Sequence, residues 1–258
     1  MSKKMSKVKE NYIIKLYNNG KTQKEIAKIF NTYNTSIRRV LLRNNIKIRS
    51  NSEIQSFINK NPFNNNCKSD YFLGLLIADG CISNGKLTLS LHEKDKYILY
   101  EFAKFLSKKI KVNKYFHKQH NKYQYYVNTR DKKVVNYLKN KANFDNKSKD
   151  AKIYTEINWN IFRGIFDGDG GILNLNNNKR LRFFICGASL TLIKQLKIFL
   201  EKNRFNPTIT KNKNNVYYLN LYRNKELLEL YKYLYKDTNC VFIKRKHDKL
   251  ATYVKKFI

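Results

Sequence analysis

Two aspartates, Asp79 and Asp169, each stand before a glycine at the end of a similar phrase. The first phrase is Phe72-Leu73-Gly74-Leu75-Leu76-Ile77-Ala78-Asp79-Gly80. The second is Phe162-Arg163-Gly164-Ile165-Phe166-Asp167-Gly168-Asp169-Gly170, 90 positions later. Gly74 and Ala78 are four apart, as are Gly164 and Gly168, so each expected helix carries a stripe without bulk. Two such stripes let two helix backbones meet, which brings their C-terminal ends, and hence Asp79 and Asp169, together. Carboxylates placed beside the negative ends of two helix dipoles repel unless a cation lies between them. Mg²⁺ takes one or two carboxylates and completes its shell with water and phosphate oxygens, so it fits that demand. A site of this kind can activate water and stabilise the leaving oxygen of a phosphodiester.

The overall charge agrees with a polyanionic partner. The chain has 258 residues, with 53 Lys and Arg against 19 Asp and Glu, for a net charge of +34. A hydrophobic content of 42% with 14% aromatics is enough for a packed core, which excludes a disordered chain. A folded protein this cationic repels itself without a counter-charge. Basic residues run through the whole length, so nucleic acid is the expected partner rather than one basic tail's ligand. No apolar run reaches the roughly 18 residues of a membrane span, and the first residues lack the apolar core of a secretion signal. Cys67, Cys81, Cys186 and Cys240 are far apart with no CxxC spacing, which argues against zinc or a disulfide framework. Reduced thiols in a cytoplasm-like compartment (bacterial, phage-infected host or organelle interior) are expected, with no membrane partner.

The elements that must position the aspartates can be read along the chain. Residues 1–50 predict three short helices. Thr22 caps the second, with Glu25 three positions on as its capping-box partner. The third buries Ile37, Val40 and Leu41 and leaves Ser36, Arg38, Arg39 and Arg43 outside. Residues 51–68, rich in Asn and Ser and containing Pro62, predict a linker. Residues 69–156 and 157–258 then predict two units of the same order, αββαββα. Asp70 and Asn160 are placed as helix caps, and Asn84-Gly85 as a hairpin turn. Hairpin pairing makes each sheet antiparallel with helices on one face, an α+β fold.

The two phrases resemble the namesake motif of the LAGLIDADG homing endonucleases in their single-chain, two-motif form. The resemblance covers about residues 70–258. The segment from Gly20 to Phe30 with the helix that follows resembles the helix-turn-helix of resolvase-type DNA-binding domains. The first resemblance implies two pseudo-symmetric units whose sheets form a DNA-binding saddle. It implies a monomer that cuts a long double-stranded DNA site and leaves staggered 3′-overhang ends. It also implies Mg²⁺ as cofactor, with Mn²⁺ able to replace it and Ca²⁺ binding without turnover. The metal-binding acids correspond to Asp79 and Asp169, and the carbonyls of Ala78 and Gly168 are implied contacts. Ile77 departs from the motif where an acidic residue often stands, and Asp167, in the same place of the second copy, is read as structural. Basic residues near the scissile phosphates correspond to Lys147 and Lys244, with Lys246 as the substitute for Lys244.

Strand alternation assigns the DNA-facing side chains. Leu87, Leu89 and Leu91 point to the helices, leaving Lys86, Thr88, Ser90 and His92 outward. Arg180 and Arg182 are outward in the matching strand of the second unit. Lys114, Gln124, Asn128 and Arg130 are placed outward in the first unit, and Thr210, Asn212, Tyr218 and Asn220 in the second. Arg245 and Lys246, in the basic run that the resemblance places near the scissile phosphates, are also assigned to DNA binding. Such residues can read base edges, and a two-stranded ribbon fits a major groove. The competing functions are a non-catalytic DNA-binding regulator of the same fold and an RNA-binding intron maturase. Retention of both acids favours the nuclease.

Overall fold

The computed structural model describes residues 6–50, 53–54, 62–64, 66–107, 110–117, 121–175, 180–236 and 240–255. The expected linker over 51–68 lies largely outside these. The chain divides into two compact units, Met1–Lys60 with Arg130–Lys132, and Asn61–Thr129 with Lys133–Ile258.

The smaller unit holds helices α1 (Lys7–Asn18), α2 (Gln23–Ile29) and α3 (Asn34–Arg43). The Thr22–Glu25 capping box forms as the sequence predicts, with Glu25 N–H donating to Thr22 Oγ1 at 3.2 Å and Thr22 N–H to Glu25 at 2.8 Å. Ile13, Tyr17, Ile26, Ala27, Ile37, Val40 and Leu41 form its core. At this size the core is small, and an ion pair borders it: exposed Arg43 bonds to Glu10, which is only 8% exposed.

The larger unit is built twice on one plan. Helix α4 (Cys67–Asp79) leads into β1 (Gly80–Ser83) and β2 (Lys86–His92). Then come a 3-10 turn (Glu93–Asp95), α5 (Lys96–Leu106), β3 (Asn113–His117), β4 (Lys122–Thr129) and α6 (Lys132–Lys141). A short helix, α7 (Lys147–Asp150), closes the first copy. The second copy has α8 (Trp159–Asp169), β5 (Gly170–Leu175), β6 (Arg180–Gly187), α9 (Leu190–Lys202), β7 (Thr208–Lys211), β8 (Tyr217–Leu221) and α10 (Asn224–Tyr235). It ends with α11 (Lys244–Val254), a helix the sequence reading did not anticipate. The strand orders are β1-β2-β4-β3 and β5-β6-β8-β7, all antiparallel. Asn84 and Gly85 both take positive φ, 49° and 67°, as the tight β1–β2 turn requires.

One face of each sheet is apolar. Leu87, Leu89, Leu91 and Val127 meet Ile98, Leu99 and Phe102 of α5, while Leu181, Phe183, Ile185 and Leu219 meet Ile193, Leu196 and Leu200 of α9. Each such buried side chain contributes about 1.5–3 kcal/mol relative to exposure. Helices α4 and α8 are buried on nearly every side, Tyr71 to Ile77 and Ile161 to Asp167. They are therefore the centre of the unit rather than its cover. Their caps differ from the expected ones. Asn66 and Asn158 cap the two helices, with Asn66 accepting from Ser69 N–H at 2.9 Å and Asn158 from Ile161 N–H at 3.0 Å. Asp70 instead accepts from the Asn158 amide at 2.7 Å, tying the two helix starts together, and Asn160 accepts from Arg163 at 2.9 Å. No helix among the described residues is long and apolar enough to cross a membrane.

Candidate active site and nucleic-acid interface

The expected meeting of the two phrase helices is present and unusually tight. A Cβ added at Gly74 would overlap the Ile161 carbonyl and lie 3.1 Å from the Gly164 Cα. One added at Gly164 would overlap the Tyr71 carbonyl and lie 2.6 Å from the Leu75 nitrogen. At the ends of the helices, a Cβ on Gly168 would overlap that of Ala78 and stand 3.0 Å from Asp79 Oδ2. The small residues therefore set the helix separation, and the separation brings the Asp79 carboxylate against the neighbouring motif.

Both carboxyls respond to that crowding. Asp79 keeps an exposed surface, yet the protein around the helix ends desolvates it, and this raises its pKa against the pull of Lys147 and Lys246. Asp169 is half-buried and raised to about 6, by burial first and then by the charge of Asp79. The Asp79 charge is felt at Asp169, so the two carboxyls lie near enough for one counter-ion to serve both.

Lysines supply charge on both sides. The Lys147 amine donates to the carbonyl of Ala78 and, at 2.6 Å, to that of Gly80. The Lys246 amine donates to Phe166 and Asp167 at 2.7 Å, to Gly170 at 2.6 Å and to Gly168 at 3.4 Å. Cations at these carbonyls satisfy the unpaired acceptors of a helix C-terminus and its dipole. Burial lowers the Lys147 amine and brings Lys246 down to about 8. Lys246, not Lys244, is thus the counterpart of Lys147. Lys244 points its amine over the Tyr97 ring at 5.7 Å, and its backbone N–H donates to Tyr97 Oη at 2.6 Å. The clue was in the spacing, since Lys246, Leu250, Tyr253 and Val254 form the buried face of α11.

Asp167 occupies a structural place, which the asymmetry with Ile77 explains. Its Oδ2 accepts from Tyr71 Oη at 2.8 Å and from Ile243 N–H at 2.7 Å, so it fixes the start of α11 to the helix pair. Arg245 is held by both oxygens of buried Asp95, at 2.8–3.1 Å, while its side chain stays exposed. Lys246 is only 7% exposed and, unlike Arg245, is withdrawn from the surface.

The outer sheet faces agree with the alternation in most positions. Lys86, Thr88, Ser90, His92, Gln124 and Asn128 share one face by register, and Arg180, Arg182, Tyr218 and Thr210 share its equivalent. His92 also accepts from Lys94 N–H at 3.2 Å, and Gln124 accepts from Tyr115 Oη. Lys114 is on the wrong side. It pairs with Tyr125 and lies over the Tyr123 ring at 4.9 Å, so Asn113, Tyr115 and His117 face outward in its place. The run from Tyr115 to Tyr126 mixes aromatics on both faces, which removed the alternation signal. Asn220 faces outward but is fully buried beneath Arg182. Asn212 accepts from Asn214 and Val216 N–H, serving the β7–β8 turn. Arg130 lies just beyond β4 and is exposed. In the smaller unit Arg38 and Arg39 are exposed and Ser36 half-buried, while Arg43 is committed to Glu10.

A model described as LAGLIDADG-like domain matches residues 66–148 and 156–235, more than half of the chain and both copies of the phrase. The chain belongs to the LAGLIDADG-like domain family. The LAGLIDADG motifs are the α4 and α8 phrases, in the single-chain, two-motif form. The LAGLIDADG meganuclease I-AabMI bound to uncleaved DNA superposes with a TM-score of 0.50 at 14% identity, over 77% of this chain and 91% of that one. I-SmaMI bound to an uncleaved DNA target with calcium ions gives 0.51 at 11% identity, over 74% and 90%. At such identities these likenesses speak for the LAGLIDADG fold alone. Separately, 46 residues are 44% identical to the uncharacterized protein MJ1054 of Methanocaldococcus jannaschii, spanning 18% of this chain and 5% of that protein.

Proposed function

We propose that the chain is a site-specific endonuclease that cuts both strands of duplex DNA at a long target. It acts as a monomer with a divalent cation and leaves staggered ends with 3′ overhangs. The observation that carries this reading is the convergence of Asp79 and Asp169 at the ends of two interlocked helices, each beside an anchored lysine. The net charge of +34 and the family relatives solved on uncleaved DNA support duplex DNA as substrate.

The donors at the site suit a hard cation. Beside the two carboxylates, the Ala78 and Gly168 carbonyls keep a second lone pair after accepting from the lysines. Cys186 donates its thiol to the Asp169 carbonyl at 3.3 Å, and burial pushes its pKa up, so no thiolate competes. Among the described residues no cluster of three or more His, Cys, Asp or Glu side chains could hold a metal. Water and phosphate oxygens would complete the shell, which is the preference of Mg²⁺; Mn²⁺ suits the same donors, and Ca²⁺ binds them without turnover. When bound, the cation supplies an activated water and charge for the leaving oxygen.

The chain's own residues do the rest. Asp79 and Asp169, once ionised, orient an attacking water by accepting its hydrogen bonds. Lys147 and Lys246 place positive charge at the helix ends where the scissile phosphates would lie and keep those ends from moving. The doubling of acid and lysine matches two cuts, one per strand. The sheet faces bind the duplex grooves. The smaller unit acts as a helix-turn-helix whose α3 arginines add affinity through high effective concentration.

The test is incubation of the full chain with a library of duplex targets in Mg²⁺ or Ca²⁺, followed by sequencing of cut ends. Mg²⁺ should give paired nicks at one long site and Ca²⁺ binding alone. Asp79→Asn and Asp169→Asn should bind that site without double-strand cleavage. Tight duplex binding with no cutting by the unsubstituted chain in any divalent metal would overturn the reading.

A further inference from the structure

We infer that Arg182 is a base-reading residue that selects a guanine in the half of the target contacted by the second sheet; this rests on the endonuclease reading above. Three observations converge on its guanidinium. Its Nε donates to Asn220 Oδ1 at 2.8 Å. Its central carbon lies 5.0 Å from the Phe184 ring and 5.1 Å from the Tyr218 ring. Among the described residues its two terminal nitrogens make no hydrogen bond, and no carboxylate pairs with it.

The orientation is fixed from below. Asn220 is fully buried, and its Nδ2 lies 3.1 Å from the Tyr218 carbonyl, 3.3 Å from the Thr208 carbonyl and 3.1 Å from Thr210 Oγ1. Carbonyls only accept, so the amide nitrogen must face them and the amide oxygen must face Arg182. The Nε is thereby consumed, and the remaining N–H fork is left for a partner above the outer face of the sheet. A fork held in this way matches O6 and N7 of guanine in the major groove. A mobile surface arginine would spend rotamer entropy to reach the same geometry.

The first sheet lacks this device. Arg182 pairs with Leu173, the fourth residue of β5, and the fourth residue of β1, Ser83, pairs with Lys86. Lys86 is therefore the counterpart of Arg182, and Asn128, opposite Thr88, is the counterpart of Asn220, opposite Phe184. A lysine ammonium is a point charge without the planar fork. The two half-sites should accordingly differ at this pair of positions, with the guanine required at the Arg182 one.

Selection of bound duplexes from a randomised pool, by the full chain in Ca²⁺, tests this. The unsubstituted chain should recover a guanine at one position that Arg182→Ala and Arg182→Lys both lose, by about 5-fold or more, with preferences elsewhere unchanged. Arg182 sits on the outer face, and equal thermal midpoints of the three proteins would show that folding is intact. If Arg182→Ala weakens all sequences equally while Arg182→Lys restores affinity, the residue holds a phosphate and the inference fails. It fails also if every base preference survives both substitutions. Binding with no sequence preference by the unsubstituted chain would overturn the endonuclease reading itself, and this inference with it.

Discussion

Lys147 and Lys246 are counterparts across the helix pair. Each sends its amine to the carbonyl before a motif aspartate and to the carbonyl after it, Ala78 and Gly80 for one, Gly168 and Gly170 for the other. The match is not symmetric in depth, because Lys246 also caps Phe166 and Asp167 from a buried position. Lys246→Met should therefore cost about 2–3 kcal/mol of stability, since it strands several carbonyls at once. Lys147→Met should cost about 1 kcal/mol, because its site is more open to water. Both should slow cleavage by about 10²–10³-fold. Urea unfolding and nicking rates on one target separate the two effects, and equal denaturation midpoints for the two variants would contradict the asymmetry.

The raised carboxyl of Asp169 predicts how stability depends on pH. Its folded pKa of about 6 lies above the ordinary value of 3.8, so between these the folded state binds more protons than the unfolded one. Stability from this group is full below about pH 4 and is lost as pH rises through about 6. Asp167, also raised to about 6 by burial, adds a slope of the same sign. In metal-free buffer Asp169→Asn should flatten part of this decline. Mg²⁺ should act oppositely, stabilising more at pH 7 than at pH 5, because it binds the ionised carboxylates. Chemical denaturation across that range checks both, and a variant curve parallel to the unsubstituted one would refute the assignment.

The closeness of α4 and α8 gives a third expectation. Gly74→Ala or Gly164→Ala places a methyl against the partner backbone, which no rotamer change relieves. Each should cost more than about 3 kcal/mol or prevent folding. Gly187→Ala, at a site where a Cβ meets nothing within 4 Å, should stay within about 1 kcal/mol of the unsubstituted chain. Thermal unfolding of the three proteins compares them directly. Comparable midpoints would mean that the helices can separate, and the geometric argument for paired carboxylates would then lose its basis.

Features written in local chemistry were legible in the sequence. The Thr22–Glu25 box, the Asn84-Gly85 turn and the Gly74/Gly164 stripe all follow from rules spanning a few residues. What escaped depends on partners distant along the chain. Asn220 reads as a polar outward residue until Arg182 and the Thr208 and Tyr218 carbonyls are seen around it. Arg245 reads as an unpaired surface cation until Asp95, 150 positions away, is found to hold it. The side of Lys114 is not legible because β3 and β4 carry aromatics on both faces, so hydrophobicity does not fix the register. Lys246 was within reach, since the buried face of α11 repeats at helical spacing, but a cluster of three basic residues masks that pattern.

The smaller unit offers a test that does not involve cutting. Arg38 and Arg39 stand exposed on α3, whereas Arg43 is bonded to Glu10 and Glu10 is nearly buried. If α3 contacts DNA, Arg38→Ala and Arg39→Ala should weaken duplex binding and each reduce the slope of log affinity against log salt by about one. Arg43→Ala should instead leave the Glu10 carboxylate, among the described residues, with only the Asn44 amide at 3.2 Å, and lower the stability of the helical unit. Anisotropy titrations of a labelled duplex across salt concentrations, paired with thermal melts, distinguish the two behaviours. Unchanged salt slopes for both Arg38 and Arg39 variants would remove α3 from the DNA interface and leave the sheets to account for binding.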